Sequence, residues 1–371
     1  MRLTLIIPRI IPGGAERVMS IMANYWASKG FSVVLLTFDN GKEEPFYALN
    51  PQVIHRPIGL VESPGFVRAA LAFVGKLRGI RKAVYASRPD VVISFMDATN
   101  VMSLISTFGM GIPVVVSERC GALQNPIGWT WKALRYCTYR LARVVVVQTE
   151  RSSEYFRPWL NGKLIVIPNP VLVPLSGGPD EDFSINGFSI ISIGRLVPQK
   201  GFDLLIEAFS KISSRHSDWN LVIFGSGPNL SALNKLAEDL KIKDKVHFLG
   251  KVKNSYSVLK KAGIYVSASR FEGFPNVLCE AMASGLPVVA TDCPYGPREI
   301  VNNGLDGILV ANEDEPALSR AMERLISDEA LRSRLGKEAV KITERFGLVK
   351  VMEQWENALQ PYLKPQNPAL T

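Results

Sequence analysis

Ile190-Ile191-Ser192-Ile193-Gly194-Arg195-Leu196-Val197-Pro198-Gln199-Lys200-Gly201 is a short, mostly β-branched run that opens into glycine, arginine and a nearby lysine. Such a run, without polar alternation, reads as a parallel strand covered on both faces, and a helical pattern follows it at 202–214. Strand, glycine loop and helix make the βα step of a doubly wound sheet, whose ligands sit beyond the carboxyl ends of the strands. Arg195 and Lys200 therefore place two cations at that edge. Arginine grips a diphosphate through two parallel hydrogen bonds, and lysine adds a compact charge. Plain surface charge in a βα loop is the alternative. The spacing of a Walker loop is absent.

The same step repeats outward in both directions. Strands are predicted at 3–7, 32–37, 91–95, 113–117, 143–148 and 164–168, then at 188–193, 220–224, 246–249, 264–268 and 287–291. Helical patterns lie at 15–29, 66–86, 202–214, 229–241, 276–284 and 316–335, with a last helix running to about residue 363. Between the two sets, residues 169–187 are rich in proline, glycine and charge and read as a linker. The expected architecture is α/β: two doubly wound, Rossmann-like domains facing a cleft. Residues 1–170 form the first domain and 171–345 the second.

The 371 residues, 47% hydrophobic and 21% charged, suit two domains of ordinary size and exclude disorder and coiled coil. No apolar run reaches the roughly 18 residues a spanning helix needs, and residues 1–8 are too short for a signal-peptide core. Cys120, Cys137, Cys279 and Cys293 show no metal-ligand spacing, and none of His55, His216 and His247 pairs with another as zinc ligands do. Reduced thiols in the cytoplasm and no metal are the expectation. His55 reads as a satisfied surface histidine.

Charge is unevenly spread. Residues 1–179 carry a net charge of +10 and residues 180–371 carry −1, with +8 of the excess inside 63–143. An anionic partner for the first half follows from this, whether nucleic acid, lipid surface or phosphorylated substrate. Nucleic acid is not expected, because no zinc-finger, RNP-like or basic-zipper pattern occurs.

A second motif, Phe271-Glu272-Gly273-Phe274-Pro275-Asn276-Val277-Leu278-Cys279-Glu280, sets two glutamates around a turn that starts a helix. Asn276 is expected to cap it, leaving Glu280 on its early turns. Free N–H groups and the positive end of the dipole there attract anions, and a carboxylate nearby can accept from sugar hydroxyls. Electrostatic stabilisation of the helix start is the alternative role for both glutamates.

Gly194-Arg195 with Lys200, then Glu272 and Glu280 eight residues apart, then Ala283-Ser284-Gly285-Leu286-Pro287-Val288-Val289-Ala290-Thr291-Asp292, together resemble the family-4 retaining glycosyltransferases of the GT-B fold. Gly13-Gly14-Ala15-Glu16-Arg17 matches that family's amino-terminal glycine-rich loop. The resemblance implies a nucleotide-sugar held by the second domain, with UDP the leading nucleotide and a hexose or N-acetylhexosamine as the sugar. It implies Gly194, Arg195 and Lys200 on the diphosphate, Glu280 on the ribose and Glu272 near the transferred sugar. Phe274, Asn276 and Val277 would offer backbone N–H groups, Lys251 and Val252 would flank the base, and Gly14 would also face the donor. The catalytic set is then Arg195, Lys200 and Glu272. Gly13, Glu16 and Arg17 fall to the acceptor, and the helix at 346–371 is expected to return to the first domain. The nucleotide-sugar is a substrate, and no cofactor is implied.

Many relatives carry a histidine where this chain has Ser117-Glu118-Arg119. This variant resembles branches that assemble polysaccharide and lipid-linked oligosaccharide, with Glu118 and Arg119 on the acceptor. An end-of-strand salt bridge fits the same residues. In the helix at 66–86, Phe66, Ala70, Phe73, Leu77, Ile80 and Val84 fall in a stripe about 80° wide. Arg68, Lys76, Arg78, Arg81 and Lys82 surround it. Arg78, Arg81 and Lys82 are assigned to an anionic membrane surface or the diphosphate of a polyprenyl-linked glycan. Trp129, Trp131, Lys132, Arg135, Tyr136, Tyr139 and Arg140 read as a second interfacial group. Peripheral association with the inner face of the cell membrane is the expectation. A UDP-sugar epimerase on the same fold and an inactive basic membrane adaptor are the alternatives.

Overall fold

The computed structural model describes residues 1–59, 66–119, 127–160, 162–173 and 187–362, with side chains from residue 72 onward in the helix that begins at Phe66. The chain divides into two compact units, Met1–Pro170 with Val351–Thr371, and Val171–Lys350.

In the first unit the strands are β1 (Arg2–Ile7), β2 (Ser32–Thr37), β3 (Ile54–Pro57), β4 (Val91–Phe95), β5 (Val114–Ser117), β6 (Val144–Val147) and β7 (Leu164–Val166). They form one parallel sheet in the order β3-β2-β1-β4-β5-β6-β7. Helices α1 (Gly14–Ser28), α2 (Phe66–Ser87), α3 (Asp97–Thr107), α4 (Trp129–Thr138) and α5 (Glu150–Phe156) make five of the crossovers, and the chain at 38–53 joins β2 to β3 without a helix. Parallel strands need such crossovers, and each helix returns the chain from the carboxyl edge of the sheet to the amino edge. Ile80 and Val84 of α2 are fully buried against Ile6, Val34 and Val92, so the apolar stripe faces the sheet where its side chains are described. Phe66, Arg68 and Ala70 lie outside the described side chains.

The second unit repeats the plan. Strands β8 (Phe188–Ile193), β9 (Trp219–Phe224), β10 (Val246–Phe248), β11 (Ile264–Ser267), β12 (Val288–Asp292) and β13 (Ile308–Ala311) run parallel in the order β10-β9-β8-β11-β12-β13. Its helices are α6 (Phe202–Ser213), α7 (Leu230–Asp239), α8 (Ser255–Leu259), α9 (Asn276–Ala283), α10 (Pro297–Ile300), α11 (Glu315–Ser327), α12 (Glu329–Ala339) and α13 (Ile342–Phe346). The final helix, α14 (Leu348–Leu359), is counted with the first unit from Val351 on, and its Trp355 is fully buried 6.2 Å from the Phe95 ring. In both sheets the strand order reverses beside the first strand, between β1 and β4 and between β8 and β11. Those switch points are where doubly wound sheets take their ligands.

Three features depart from the expectation. β3 and β13 add to the expected strands: both are four-residue edge strands, and β3 is mostly polar. The pattern at 316–335 is two helices, broken where Asp328 accepts from the Leu331 N–H and caps α12. The expected linker is tied down at its start, because the Val171 N–H donates to the Phe346 carbonyl; residues 174–186 lie outside the described set.

Candidate active site

The carboxyl edge of the second sheet gathers the motif residues. After β8 the Gly194 N–H continues the ladder to the Phe224 carbonyl at 2.9 Å, and Leu196 is fully buried, which fixes the loop. Arg195 stays exposed, with one guanidinium nitrogen 3.4 Å from Gln199 Oε1. A single 3-10 turn, Pro198–Lys200, ends at Gly201 with φ 61°. A β-carbon at Gly201 would lie 2.0 Å from the Ala268 carbonyl oxygen, so only glycine lets this loop close on the end of β11.

That approach sets Lys200 against the second motif. Lys200 Nζ donates to Glu272 Oε1 at 2.5 Å, and Ser269 Oγ donates to the same oxygen at 2.6 Å. The Ser269 carbonyl accepts from Thr291 Oγ1, Gln199 Nε2 donates to the Phe271 carbonyl, and the Arg270 N–H donates to the Gln199 carbonyl. The Arg270 guanidinium forks onto Asp203 at 2.9 and 2.7 Å and reaches Glu313 at 2.9 Å. The two loops are therefore stitched into one surface. Ser269, Gln199 and Arg270 went unnoticed in the sequence, since nothing local marks them as partners of the other loop.

Glu280 lies in α9, buried, and accepts from Ser255 Oγ on α8 at 2.5 Å. Asn276 is not the cap: Pro275 holds that position without a side-chain bond, and Asn276 is the first helical residue. Pro275, at φ −75° and ψ 88°, is the last residue outside the helical region, so the helix begins one residue earlier than a cap at Asn276 would require. Phe274 is buried edge-on to Phe346, and Val277 is half-buried. Tyr265 is buried on β11; burial, and then the charges of Glu272 and Glu280, push its phenol far above the ordinary range. Burial likewise pushes the Cys293 thiol up to about 12 and raises Cys279 further, so neither is a nucleophile at neutral pH.

At the ends of β8, β9 and β10 three glycines meet. A β-carbon on Gly225, φ 150°, would fall 1.8 Å from the Gly194 carbonyl oxygen, and the Gly225 N–H donates to the Gly250 carbonyl at 2.6 Å. Lys251 and Val252 follow directly, exposed and half-buried. Gly194, Arg195, Lys200, Lys251, Glu272 and the start of α9 thus belong to one edge of one sheet.

The first unit divides its expected residues. Gly13 is the N-cap of α1 after β1, its N–H donating to Tyr47 Oη and its carbonyl accepting from the same hydroxyl. Gly14, Glu16 and Arg17 open that helix. Glu118 and Arg119 follow β5 and neither reaches the surface, with 4% and 8% exposure. Glu118 accepts from Tyr139 Oη and lies 3.7 Å from the Arg135 guanidinium, while Asn100 Nδ2 donates to Tyr139 Oη at 3.0 Å. Burial raises the Glu118 carboxyl to about 7, against the pull of Arg135. Arg119 stacks 3.6 Å above the Phe95 ring and donates to Asn169, and burial lowers it to about 9. Of the two readings open for this pair, the geometry favours the buried end-of-strand network.

Arg135 and Tyr139 also correct the second interfacial group: both are interior, because Glu118 needs partners away from water. Trp129 is 79% exposed and Tyr136 45%. Arg81 of α2 donates to the carbonyls of Ser106 and Phe108, where α3 ends at the amino edge. Eleven residues of α3 span roughly 15 Å. Arg81 and Lys82 therefore stand at the opposite edge of the sheet from Gly13, Glu118 and Arg119. Arg78, one turn earlier in α2, lines the same concavity as Arg81 and Lys82.

His55 shares a 2.8 Å hydrogen bond with Thr37 Oγ1, and burial lowers its pKa. Among the described residues no group of three or more His, Cys, Asp or Glu side chains is placed to hold a metal ion, and no helix is long and apolar enough to cross a membrane. The one DxD-like acidic triplet of the sequence, Asp180-Glu181-Asp182, which reads as part of the linker and not as a metal site, and Cys120 lie outside the described residues.

Comparison with known proteins gives the same two halves. Residues 12–172 match the family described as Glycosyltransferase Family 4, and residues 181–342 match Glycosyl transferases group 1. A Campylobacter jejuni protein named as an N-acetyl-D-galactosaminyltransferase acting on a diNAcBac-PP-undecaprenol-linked GalNAc glycan is 27% identical over 96% of this chain and 97% of its own. An exopolysaccharide phosphotransferase from Streptomyces coelicolor is 38% identical over 57% of this chain, which spans only 22% of that protein. Among solved structures, an Anabaena protein in complex with UDP and glucose superposes with a TM-score of 0.81 at 19% identity, covering 97% of this chain and 99% of that one.

Proposed function

We propose that this chain, which belongs to the family-4 glycosyltransferases and has their GT-B fold, moves a sugar from a nucleotide-diphosphate sugar to a lipid-linked oligosaccharide or surface-polysaccharide precursor. The observation that carries the reading is the Lys200–Glu272 pair, held beside Arg195 and the start of α9 at one sheet edge. UDP is the proposed nucleotide, supported by the fold shared with the Anabaena complex. The acceptor is proposed from the printed activity of the Campylobacter relative.

The chemistry follows from where charge develops. The bond between the anomeric carbon and the phosphate oxygen breaks, and its electron pair leaves on the nucleoside diphosphate. Arg195, Lys200 and the N–H groups at the start of α9 face that growing negative charge and stabilise it more than they stabilise the intact donor. Glu272, held by Ser269, accepts from hydroxyls of the departing sugar, and Glu280, held by Ser255, from those of the ribose. The acceptor hydroxyl forms the new bond on the face of departure and passes its proton to the leaving phosphate oxygen. Configuration is retained in this scheme, and the charges it uses belong to side chains and backbone with no metal.

Work at the inner face of the cell membrane is part of the proposal, with the first unit turned to the lipid. The test is a panel of UDP- and GDP-sugars incubated with membrane lipid extract, reading radiolabel that enters the lipid phase, with and without EDTA. Label entering from one donor, insensitive to EDTA and lost in Lys200→Ala, is the expected result. Donor consumed with all label left in water would instead support epimerisation or a soluble acceptor.

A further inference from the structure

We propose that the amino edge of the first sheet carries a binding site for the phosphate headgroup of an anionic phospholipid in a bilayer, separate from the residues of the transfer reaction. A concavity of about 610 Å³ opens there, where the last turns of α2 meet the chain between α3 and β5. Arg78, Arg81, Lys82 and Arg88 line it, and no aspartate or glutamate does. Arg81 is already oriented, since the carbonyls of Ser106 and Phe108 hold one of its guanidinium nitrogens at 2.9 Å and leave the others for a ligand. Among the described residues no carboxylate pairs with Arg78, Lys82 or Arg88. Four cations gathered without an acid repel one another unless an anion joins them.

Bulky apolar groups at the rim favour lipid over a free phosphate. Tyr85, which lines the concavity, is 75% exposed, and Phe108 beside Arg81 is 67% exposed, while Met110 and Ile112 contribute apolar lining. A small soluble anion has no use for exposed rings, whereas rings next to cations suit the boundary between headgroups and acyl chains. The same edge continues past the start of β6 with Arg140, Leu141 and Arg143, all exposed, and the Arg143 N–H is bonded to the Val114 carbonyl of β5. The transfer residues of the other unit stand at a carboxyl edge, as does the α1 loop of this one, so a headgroup here competes with neither. The inference rests on the proposed action at a membrane for its purpose, but its test does not use transfer.

Full-length protein is sedimented with vesicles of phosphatidylglycerol and phosphatidylcholine and with vesicles of phosphatidylcholine alone. Lys82→Glu/Arg88→Glu is compared with Lys235→Glu/Lys243→Glu, the same charge change on the exposed lysines of the second unit. Expected is binding to the anionic vesicles only, weakened about 30-fold or more by the first pair, roughly fivefold for each cation lost, and little by the second. Stabilisation by UDP, read as a melting-temperature shift, reports on folding and on the donor site independently; its persistence in the first variant shows that the loss is not misfolding. Equal weakening by both pairs would overturn the site in favour of net charge. Displacement from vesicles by millimolar glycerol phosphate would overturn the lipid in favour of a free phosphate, and displacement by a DNA oligonucleotide in favour of nucleic acid.

Discussion

Lys200 and Glu272, 72 residues apart in the chain, meet with Nζ 2.5 Å from Oε1. The carboxylate is the more enclosed partner, at 8% side-chain exposure against 21% for the lysine. Without a donor the pair neutralises itself. In the proposed reaction a diphosphate beside Arg195 would offer Lys200 a second anion, and Ser269 would keep Glu272 hydrogen-bonded as the lysine is shared. The two residues thus belong to one electrostatic unit rather than to separate motifs.

Lys200→Ala is therefore expected to lower kcat by about 10²-fold or more while KM for the donor changes by much less, because the leaving charge exists in full only at the transition state. Initial rates over a range of donor concentrations decide it. A raised KM with kcat intact would mean that the lysine only binds the ground state.

Ser255→Ala removes the hydroxyl that holds Glu280 Oε2 and leaves a buried carboxylate short of a donor. Donor affinity should fall about tenfold, the worth of a hydrogen bond to a charged group, with kcat nearly constant. The wild type should also prefer UDP to its 2′-deoxy and 3′-deoxy analogues, and Ser255→Ala should lose much of that preference. Ser255→Thr, which keeps the hydroxyl, should restore it. Calorimetric titration of the three nucleotides checks all of this, and equal preference in wild type and variant would place Ser255 outside the ribose site.

What could be read in advance followed from locality. Strands β1, β4, β5, β6, β8, β9, β11 and β12 are covered on both faces, so burial itself writes them into the sequence as apolar runs. β3, with His55 and Arg56, sits at a sheet edge where one side is water and the apolar run dissolves, whereas β13, Ile308–Ala311, is an apolar run of only four residues, too short to stand out. Arg195, Lys200, Glu272 and Glu280 stand out in the sequence as candidates because each motif is contiguous, and the structure brings Lys200 and Glu272 together. Ser255, Ser269 and Gly225 were not, since their meaning lies in a partner from another βα step. Arg135 and Tyr139 were misread for a related reason: a helix pattern shows which residues are polar but not that a buried Glu118 requires them.

Gly225→Ala tests the packing of the three βα loops. The new methyl would meet the Gly194 carbonyl oxygen, which is backbone and cannot turn aside, at a φ that disfavours any side chain. A loss of about 2–3 kcal/mol is expected, seen in urea or thermal unfolding, with a weaker melting-temperature response to UDP. Gly30→Ala is the comparison: its φ is also positive, but a β-carbon there meets nothing within 4 Å, so only the smaller backbone cost should appear.

Glu118 gives a prediction in pH. Its folded pKa of about 7 lies above the value of 4.5 for an unperturbed carboxyl, mainly because burial penalises the charged form. Between those two values the folded chain keeps a proton that the unfolded chain has released, so folding takes up a proton there. Stability contributed by this group is therefore fully present below about pH 4.5 and declines as the pH rises to about 7, by at most about 3 kcal/mol. Glu118→Gln cannot titrate and keeps an oxygen to accept from Tyr139, while Arg135 loses its charged partner. The stability of the variant relative to wild type should consequently rise with pH across that window, whatever its offset at either end. Urea unfolding of both proteins at pH 5, 6, 7 and 8 measures the difference directly. A constant difference would show that Glu118 is ionised throughout, its charge held by Arg135 despite the burial.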